Sequence, residues 1–296
     1  MLILCDMPTL YIVATPIGNL QDITLRALET LKRVSVVYAE DTRVTRKLLD
    51  RYEIAIPVRS YHQHSGIRVI REIGEAMEKG DVALVTDAGT PGIADPGNEL
   101  VDALLCHCER SEAISGGLPR RPDEVGTPRN DIIIKVVPIP GASAVTAAAS
   151  ISGFNMSRFA FMGYVPKKKG RKKFFTEVAQ SEIPVILYET PHRIVKTLEE
   201  LGTYVRALIP DNFIRRRDQA TAYALPPQKL RGFVPEFGEM GAQLKGERGR
   251  KVVACRELTK QFESIYRGTI EEVLEQVKKD PVKGEYVIVV DKSVKS

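Results

Sequence analysis

The chain has 296 residues, 43% hydrophobic and 27% charged, with a formal net charge of +5. That length exceeds the usual single domain and points to two, and no apolar run approaches the ~18 residues of a membrane span. Four cysteines do not suggest a disulfide framework. The amino end, Met1-Leu2-Ile3-Leu4-Cys5-Asp6, reads as neither a signal peptide nor a lipoprotein signal, so cytoplasm is the expected compartment.

Short β-branched runs alternate with helical patterns. Leu10–Ala14 reads as a strand, followed by a helix over Thr24–Arg33 with Leu25, Leu28 and Leu31 at helical spacing and Asp22 or Thr24 as its cap. Val34–Tyr38 is a strand, Thr42–Arg51 a helix with Leu48 and Leu49 inward, and Ile67–Lys79 a helix ended by Gly80. The apolar run Val82–Val85 is a buried strand. Ile132–Val137 is a strand feeding a small-residue helix from Ala142. The second half opens near Gly153, with strands at Phe159–Met162, Val185–Tyr188, Val252–Cys255 and Tyr286–Val290. Its helices fit Lys172–Gln180, Pro191–Leu201 (Pro191 in the first turn) and Ile270–Lys278. The alternation argues for an α/β fold with a largely parallel sheet. Two segments break it: 106–131, polar and rich in Gly and Pro, and 203–250. Neither carries a periodic apolar face, so both are expected to be tolerated surface inserts.

The most informative stretch is Val85-Thr86-Asp87-Ala88-Gly89-Thr90-Pro91-Gly92-Ile93-Ala94-Asp95-Pro96-Gly97. Glycines let the backbone approach a ligand and prolines fix its path, and loops beyond the carboxyl ends of α/β strands are where such folds bind small molecules. The alternative is a purely structural connection. Thr15-Pro16-Ile17-Gly18 makes a fixed turn after the first strand, and Pro138-Ile139-Pro140-Gly141-Ala142-Ser143-Ala144 leaves room for an adenine or ribose. Neither a dinucleotide fingerprint nor a P-loop occurs, so a cofactor without phosphates fits better. Ala39-Glu40-Asp41-Thr42-Arg43, Tyr188-Glu189-Thr190-Pro191-His192-Arg193 and Arg256-Glu257-Leu258-Thr259-Lys260 also lie just past strands. Asp41 or Thr42 doubles as a simple helix cap. Such loops suggest one shared pocket between two sheets. His62 and His64, and Cys106-His107-Cys108, lack the ligand sets of a metal site, and none is expected. Lys167-Lys168-Lys169-Gly170-Arg171-Lys172-Lys173 holds six positive charges in seven residues. It reads either as a phosphate-binding run or as a solvated loop.

These segments, with SYHQH, RFAFMGYVPKKKGRK, LYETPHRI, ACRELTKQFESIYRGTIEEVL and KGEYVIVV, resemble the ribosomal RNA small-subunit methyltransferase I group of the tetrapyrrole methylase superfamily. The resemblance covers most of the chain outside the two segments 106–131 and 203–250. It implies two α/β domains of the tetrapyrrole methylase type, 9–150 and 153–292, with S-adenosylmethionine in the cleft between them. It further implies 2′-O-methylation of a cytidine in the decoding centre of small-subunit (16S) rRNA, a 30S-subunit or rRNA partner and a homodimer. The positions it assigns to the cofactor are Pro16, Ala88, Gly89, Thr90, Pro91, Gly92, Ile93, Ser143, Ala144, Tyr188, Glu189, Leu258 and Gly284. It assigns no catalytic base; Asp87, Glu189, His192 and Glu257 are the candidates by chemistry. Arg43, Arg193, Arg256 and Lys260, with Lys167, Lys168, Lys169, Arg171 and Lys172, are the candidates for RNA. A tetrapyrrole methyltransferase of the same fold, and a catalytically impaired RNA-binding homologue, are the alternatives.

Overall fold

The computed structural model describes residues 7–62, 65, 67–105, 134–207, 250–281 and 283–292. The chain divides into two compact units, Met1–Ala144 and Val145–Ser296, against expected domains of 9–150 and 153–292.

The first unit is built on β1 (Thr9–Val13), β2 (Val36–Ala39), β3 (Val58–Ser60), β4 (Val82–Val85) and β5 (Lys135–Ile139), in the order β3-β2-β4-β1-β5. All pairings are parallel. A parallel sheet is covered on both faces, which is why β2 and β4 are buried at every position. The helices α1 (Leu25–Arg33), α2 (Thr42–Arg51), α3 (Ile67–Met77) and α4 (98–105) connect the strands. Thr24 caps α1 by accepting from Ala27 N, and Asp41 caps α2 by accepting from Arg43 N. Leu31, Leu49, Val37 and Val85 share one core, and Leu10, Tyr38, Ile73 and Leu100 share another. Of Leu25, Leu28 and Leu31, Leu31 is buried and Leu28 packs against the core, whereas Leu25 is 79% exposed; Ala27 completes the inner face. β5 lies two to three residues beyond its expected position and includes Pro138, which an edge strand tolerates.

The second unit holds α5 (Ala144–Ile151), β6 (Ala160–Tyr164), α6 (Arg171–Gln180), β7 (Val185–Glu189), α7 (Ile194–Ala207), β8 (Lys251–Arg256), β9 (Ser264–Thr269), α8 (Ile270–Lys279) and β10 (Tyr286–Val290). Its sheet runs β6-β7-β10-β8-β9. Only β6 and β7 pair in parallel; β10 is antiparallel to β7 and β8, and β8 to β9. The expectation of a largely parallel sheet therefore holds for the first unit and not for the second. β8 and β9 form an antiparallel hairpin around Glu257–Glu263, and β10 inserts antiparallel between β7 and β8; the sequence reading has no strand at β9. α8 carries a full capping box, Thr269 with Glu272.

Two boundaries are corrected. Pro191 sits in a turn ahead of α7, because Arg193 N and Ile194 N both donate to Thr190 O. Residues expected to open the insert 203–250 extend α7 instead. Tyr204 stacks on Phe175 with ring centroids 5.7 Å apart, and Val205 packs on the core. At its far end Arg250 is buried and donates to the carbonyls of Asp291, Val178, Ala179 and Ser181. Residues 208–249 lie outside the described residues, as do the insert 106–131, Cys106-His107-Cys108, His64, and residues 132 and 133 of the expected fifth strand.

Candidate functional site

In the first unit, the loops leaving β1, β4 and β5 are stitched together at the carboxyl ends of three adjacent strands. Thr15 N donates to Gly89 O at 2.9 Å and Gly89 N returns a bond to Thr15 O at 3.1 Å. Thr15 Oγ1 donates to Thr86 O at 3.0 Å, and Thr90 Oγ1 to Ala142 O at 3.4 Å. These contacts gather Pro16, Ala88, Gly89, Thr90, Pro91 and the stretch leading to Ser143 and Ala144. Gly89 holds φ +85°, a left-handed conformation that disfavours any side chain, and an added Cβ would press on Ile17 Cγ2 at 3.4 Å. Ile93 is exposed.

Thr86 Oγ1 is buried at the foot of this loop without a hydrogen-bond partner among the described residues. A buried hydroxyl of that kind wants an acceptor or donor from elsewhere. A small-residue cradle with an orphaned hydroxyl and no basic side chain suits a ligand with hydroxyl and amine groups better than one with phosphates. Sequence reasoning missed Thr86, because a threonine at a strand end carries no signal until its partners are known.

Asp87 is exposed and accepts from Asp41 N at 2.9 Å, which joins the β2 and β4 ends. Arg43 pairs with Asp41 at 2.6 Å and holds that carboxyl well below the usual carboxylate range. Burial, then the nearby Asp87 and Asp95 carboxylates, push the Glu40 carboxyl up.

In the second unit the ends of β7 and β8 and the start of β10 lie side by side, since Tyr286 pairs with both Glu189 and Arg256. That brings Tyr188, Glu189, Glu257, Leu258 and Gly284 to one end of the sheet. Gly284 holds φ +79°, and an added Cβ would lie 2.2 Å from Glu257 Cγ. The Glu257 side chain therefore folds over Gly284, where it accepts from Glu285 N at 3.0 Å and Lys260 Nζ at 2.8 Å. Burial opposes ionisation of Glu257, but these bonds outweigh it and its carboxyl lies below the ordinary value.

Three candidates are corrected here. Glu189 is 0% exposed. Its carboxylate accepts from Thr190 N at 2.7 Å and Thr197 Oγ1 at 2.6 Å, and pairs with Arg193 at 2.6 Å. A fully engaged, buried carboxylate has no room to take a substrate proton. Arg171 has an 11% exposed side chain that bonds Glu200 at 2.6 Å, Thr197 Oγ1 at 2.9 Å and Pro166 O at 3.0 Å. It is an internal brace within the lysine run. Arg256, 10% exposed, donates to Pro281 O and Phe262 O. Neither guanidinium is presented to a phosphate. Arg193 is also largely committed, to Glu189, Thr190 Oγ1 and Val165 O. By contrast Lys167, Lys168, Lys169, Lys172, Lys173 and His192 are exposed.

The family model described as Tetrapyrrole (Corrin/Porphyrin) Methylases matches residues 9–116 and 129–274. The gap between the two matched stretches lies inside the expected insert 106–131, whereas the match runs through 203–250. Ribosomal RNA small subunit methyltransferase I of Halalkalibacterium halodurans is 35% identical over 291 residues, 97% of this chain and 76% of that protein. The protein of the same name from Synechocystis is 35% identical over 286 residues, 96% and 79% of the two chains. Among solved structures, a cobalt precorrin-4 methyltransferase aligns with a TM-score of 0.51 at 15% identity, over 96% of this chain and 94% of that one. Uroporphyrin III C-methyl transferase from Thermus thermophilus aligns with 0.53 at 15% identity, over 96% and 97%. At that identity the structural likeness establishes the fold.

Proposed function

The chain belongs to the tetrapyrrole methylase family, and from that premise we propose that it methylates the ribose 2′-hydroxyl of a cytidine in the decoding centre of small-subunit rRNA. It is an S-adenosylmethionine-dependent rRNA methyltransferase. The observation that carries the substrate is the near-full-length similarity, at 35% identity, to proteins named for small-subunit rRNA. The tetrapyrrole enzymes share the fold at 15%. The cytidine, the 2′-oxygen, a homodimeric assembly and a cytoplasmic setting are parts of the proposal. No helix among the described residues is long and apolar enough to cross a membrane.

S-adenosylmethionine supplies an electrophilic methyl group on a sulfonium. In the first unit, the Gly89 loop with Pro16, Ser143 and Ala144 would hold the cofactor, with the Thr86 hydroxyl as an available partner. In the second, Tyr188, Leu258 and Gly284 are the corresponding candidates. The chain's main task is to position the ribose hydroxyl for in-line displacement. Of the four candidate bases, Glu189 and Glu257 are tied to their own unit. Asp87 in the first unit and His192 in the second keep exposed side chains, and each is a separate candidate for the proton-accepting role. The exposed lysines 167, 168, 169 and 172, together with Arg43 and Lys260, would meet phosphates.

Supplying tritiated-methyl cofactor to small ribosomal subunits and, separately, to a uroporphyrinogen-type macrocycle tests the reading. Label in the rRNA and none in the macrocycle supports it; the reverse supports the tetrapyrrole alternative. Cofactor binding without transfer to either favours an impaired homologue.

A further inference from the structure

β6 is an edge strand, and its register on β7 slips. Ala160 pairs with Val185 and Phe161 with Ile186, but the next pair is Tyr164 with Tyr188. Three steps on β6 thus oppose two on β7, a β-bulge. Bulges bend a strand and re-aim the side chains that follow. Gly163 makes it possible: its φ is +65° and nothing lies within 4 Å of where a Cβ would stand, so the glycine serves the backbone and not a close contact.

The residue re-aimed is Tyr164, 46% exposed. Its ring meets that of Tyr188 edge-on, with centroids 5.4 Å apart at 66°, and Tyr188 meets Phe161 in the same manner at 4.9 Å. The contact holds the ring while nearly half of the residue faces solvent. Immediately beyond it the chain is pinned. Arg193 Nη1 donates to Val165 O at 2.9 Å and Arg171 Nη1 to Pro166 O at 3.0 Å. Arg193 pairs with the buried Glu189, and Arg171 donates to the buried Thr197, which itself donates to Glu189. Lys167, Lys168 and Lys169 follow directly, so at most ~11 Å of chain separates Tyr164 from the first lysine.

An exposed tyrosine alone needs no explanation. A tyrosine turned outward by a bulge, braced by a second aromatic ring and fixed beside three exposed lysines has the make-up of a single-strand binding platform. In such platforms cations follow the backbone and an aromatic face receives a base. We propose that Tyr164 is a base-stacking residue that receives an unpaired rRNA nucleobase beside the lysine loop. The proposal rests on the rRNA reading above.

The chain contains no tryptophan, so Tyr164→Trp places a single fluorescent reporter at the site. Its emission should be quenched, saturably, by a short oligocytidylate, and not by an abasic ribose-phosphate strand of the same length. Equal quenching by both, or none, overturns the proposal. Tyr164→Ala should weaken oligocytidylate binding about 5- to 100-fold with an unchanged salt slope, because stacking releases no counterions. Tyr164→Phe should bind within about twofold of the parent, since it keeps the ring. An Ala variant that binds as the parent does overturns the proposal, and should that variant fail to fold, the tryptophan reporter decides. Replacing Lys167, Lys168 and Lys169 by Gln separates the two readings. An unchanged salt slope there removes RNA from this turn altogether, whereas a flattened slope with an inert Tyr164 removes only the stacking role.

Discussion

Thr197→Val isolates one hydroxyl in the buried network of the second unit. Thr197 is fully buried in α7; it donates to Glu189 Oε2 at 2.6 Å and accepts from Arg171 Nη2 at 2.9 Å. Valine has nearly the same volume and helix propensity, so the change leaves packing alone. It strands one oxygen of a wholly buried carboxylate and one guanidinium N–H. A hydrogen bond to a charged group contributes about 1.5–3 kcal/mol. Glu189 retains its bonds from Thr190 N and Arg193, and Arg171 retains Glu200 and Pro166 O. The expected loss is therefore about 2–3 kcal/mol, or a fall of about 4–12 °C in Tm for a unit of this size. Urea titration followed by far-UV circular dichroism, with a thermal scan, measures it. A change below about 0.5 kcal/mol, the scatter of neutral surface substitutions, would refute the reading of Glu189 as a structural anchor and restore it as a candidate base.

Gly89→Leu should abolish S-adenosylmethionine binding in calorimetry while costing about 1–3 kcal/mol of backbone strain; full affinity would remove this loop from the site. Gly284→Ala should destabilise by about 1–3 kcal/mol from its positive φ alone, with more from the displaced Glu257 side chain. A stability unchanged from the parent would show that the turn relaxes freely. Because the Glu257 carboxyl is depressed in the fold, its contribution is present above the ordinary value of 4.5 and is lost as pH falls through the folded value. Lys260→Met should flatten that part of the acid limb, and a superimposable pH profile would contradict the assignment. Replacing Lys167, Lys168, Lys169, Lys172 and Lys173 by Gln should weaken rRNA binding and flatten its salt dependence, read by filter binding across salt; a slope equal to the parent's would leave these lysines as a solvated loop.

Element types were legible wherever the hydrophobic period was strong. The runs Val82–Val85 and Tyr286–Val290 appear as strands with the expected ends. β9 was missed because Ser264-Ile265-Tyr266-Arg267-Gly268-Thr269 carries a polar, Gly-containing alternation with no strong apolar run, although it is the second strand of a hairpin with β8. Parallel and antiparallel neighbours were likewise indistinguishable, since β8 and β10 are buried on both faces and read as continuous apolar runs. The loops of the site were visible as Gly/Pro clusters after strands. Burial of charge was not: Lys172 and Arg171 are adjacent in one basic run, yet one is exposed and the other braces Thr197 and Glu200. The difference lies in which face of α6 meets α7, a tertiary fact. The bulge at Gly163 that turns Tyr164 outward is hidden for the same reason.

The central claim is that the methyl group goes to a ribose oxygen of small-subunit rRNA. A 2′-O-methyl group removes the nucleophile needed for alkaline cleavage of the adjoining phosphodiester. Small subunits carrying unmodified rRNA should therefore be treated with the enzyme and S-adenosylmethionine, and the extracted rRNA cleaved by alkali and read at nucleotide resolution. The account predicts one new gap in the ladder, at a decoding-centre cytidine, dependent on both enzyme and cofactor. Methyl incorporation with an unbroken ladder would place the group on a base, and no incorporation would contradict the assigned substrate.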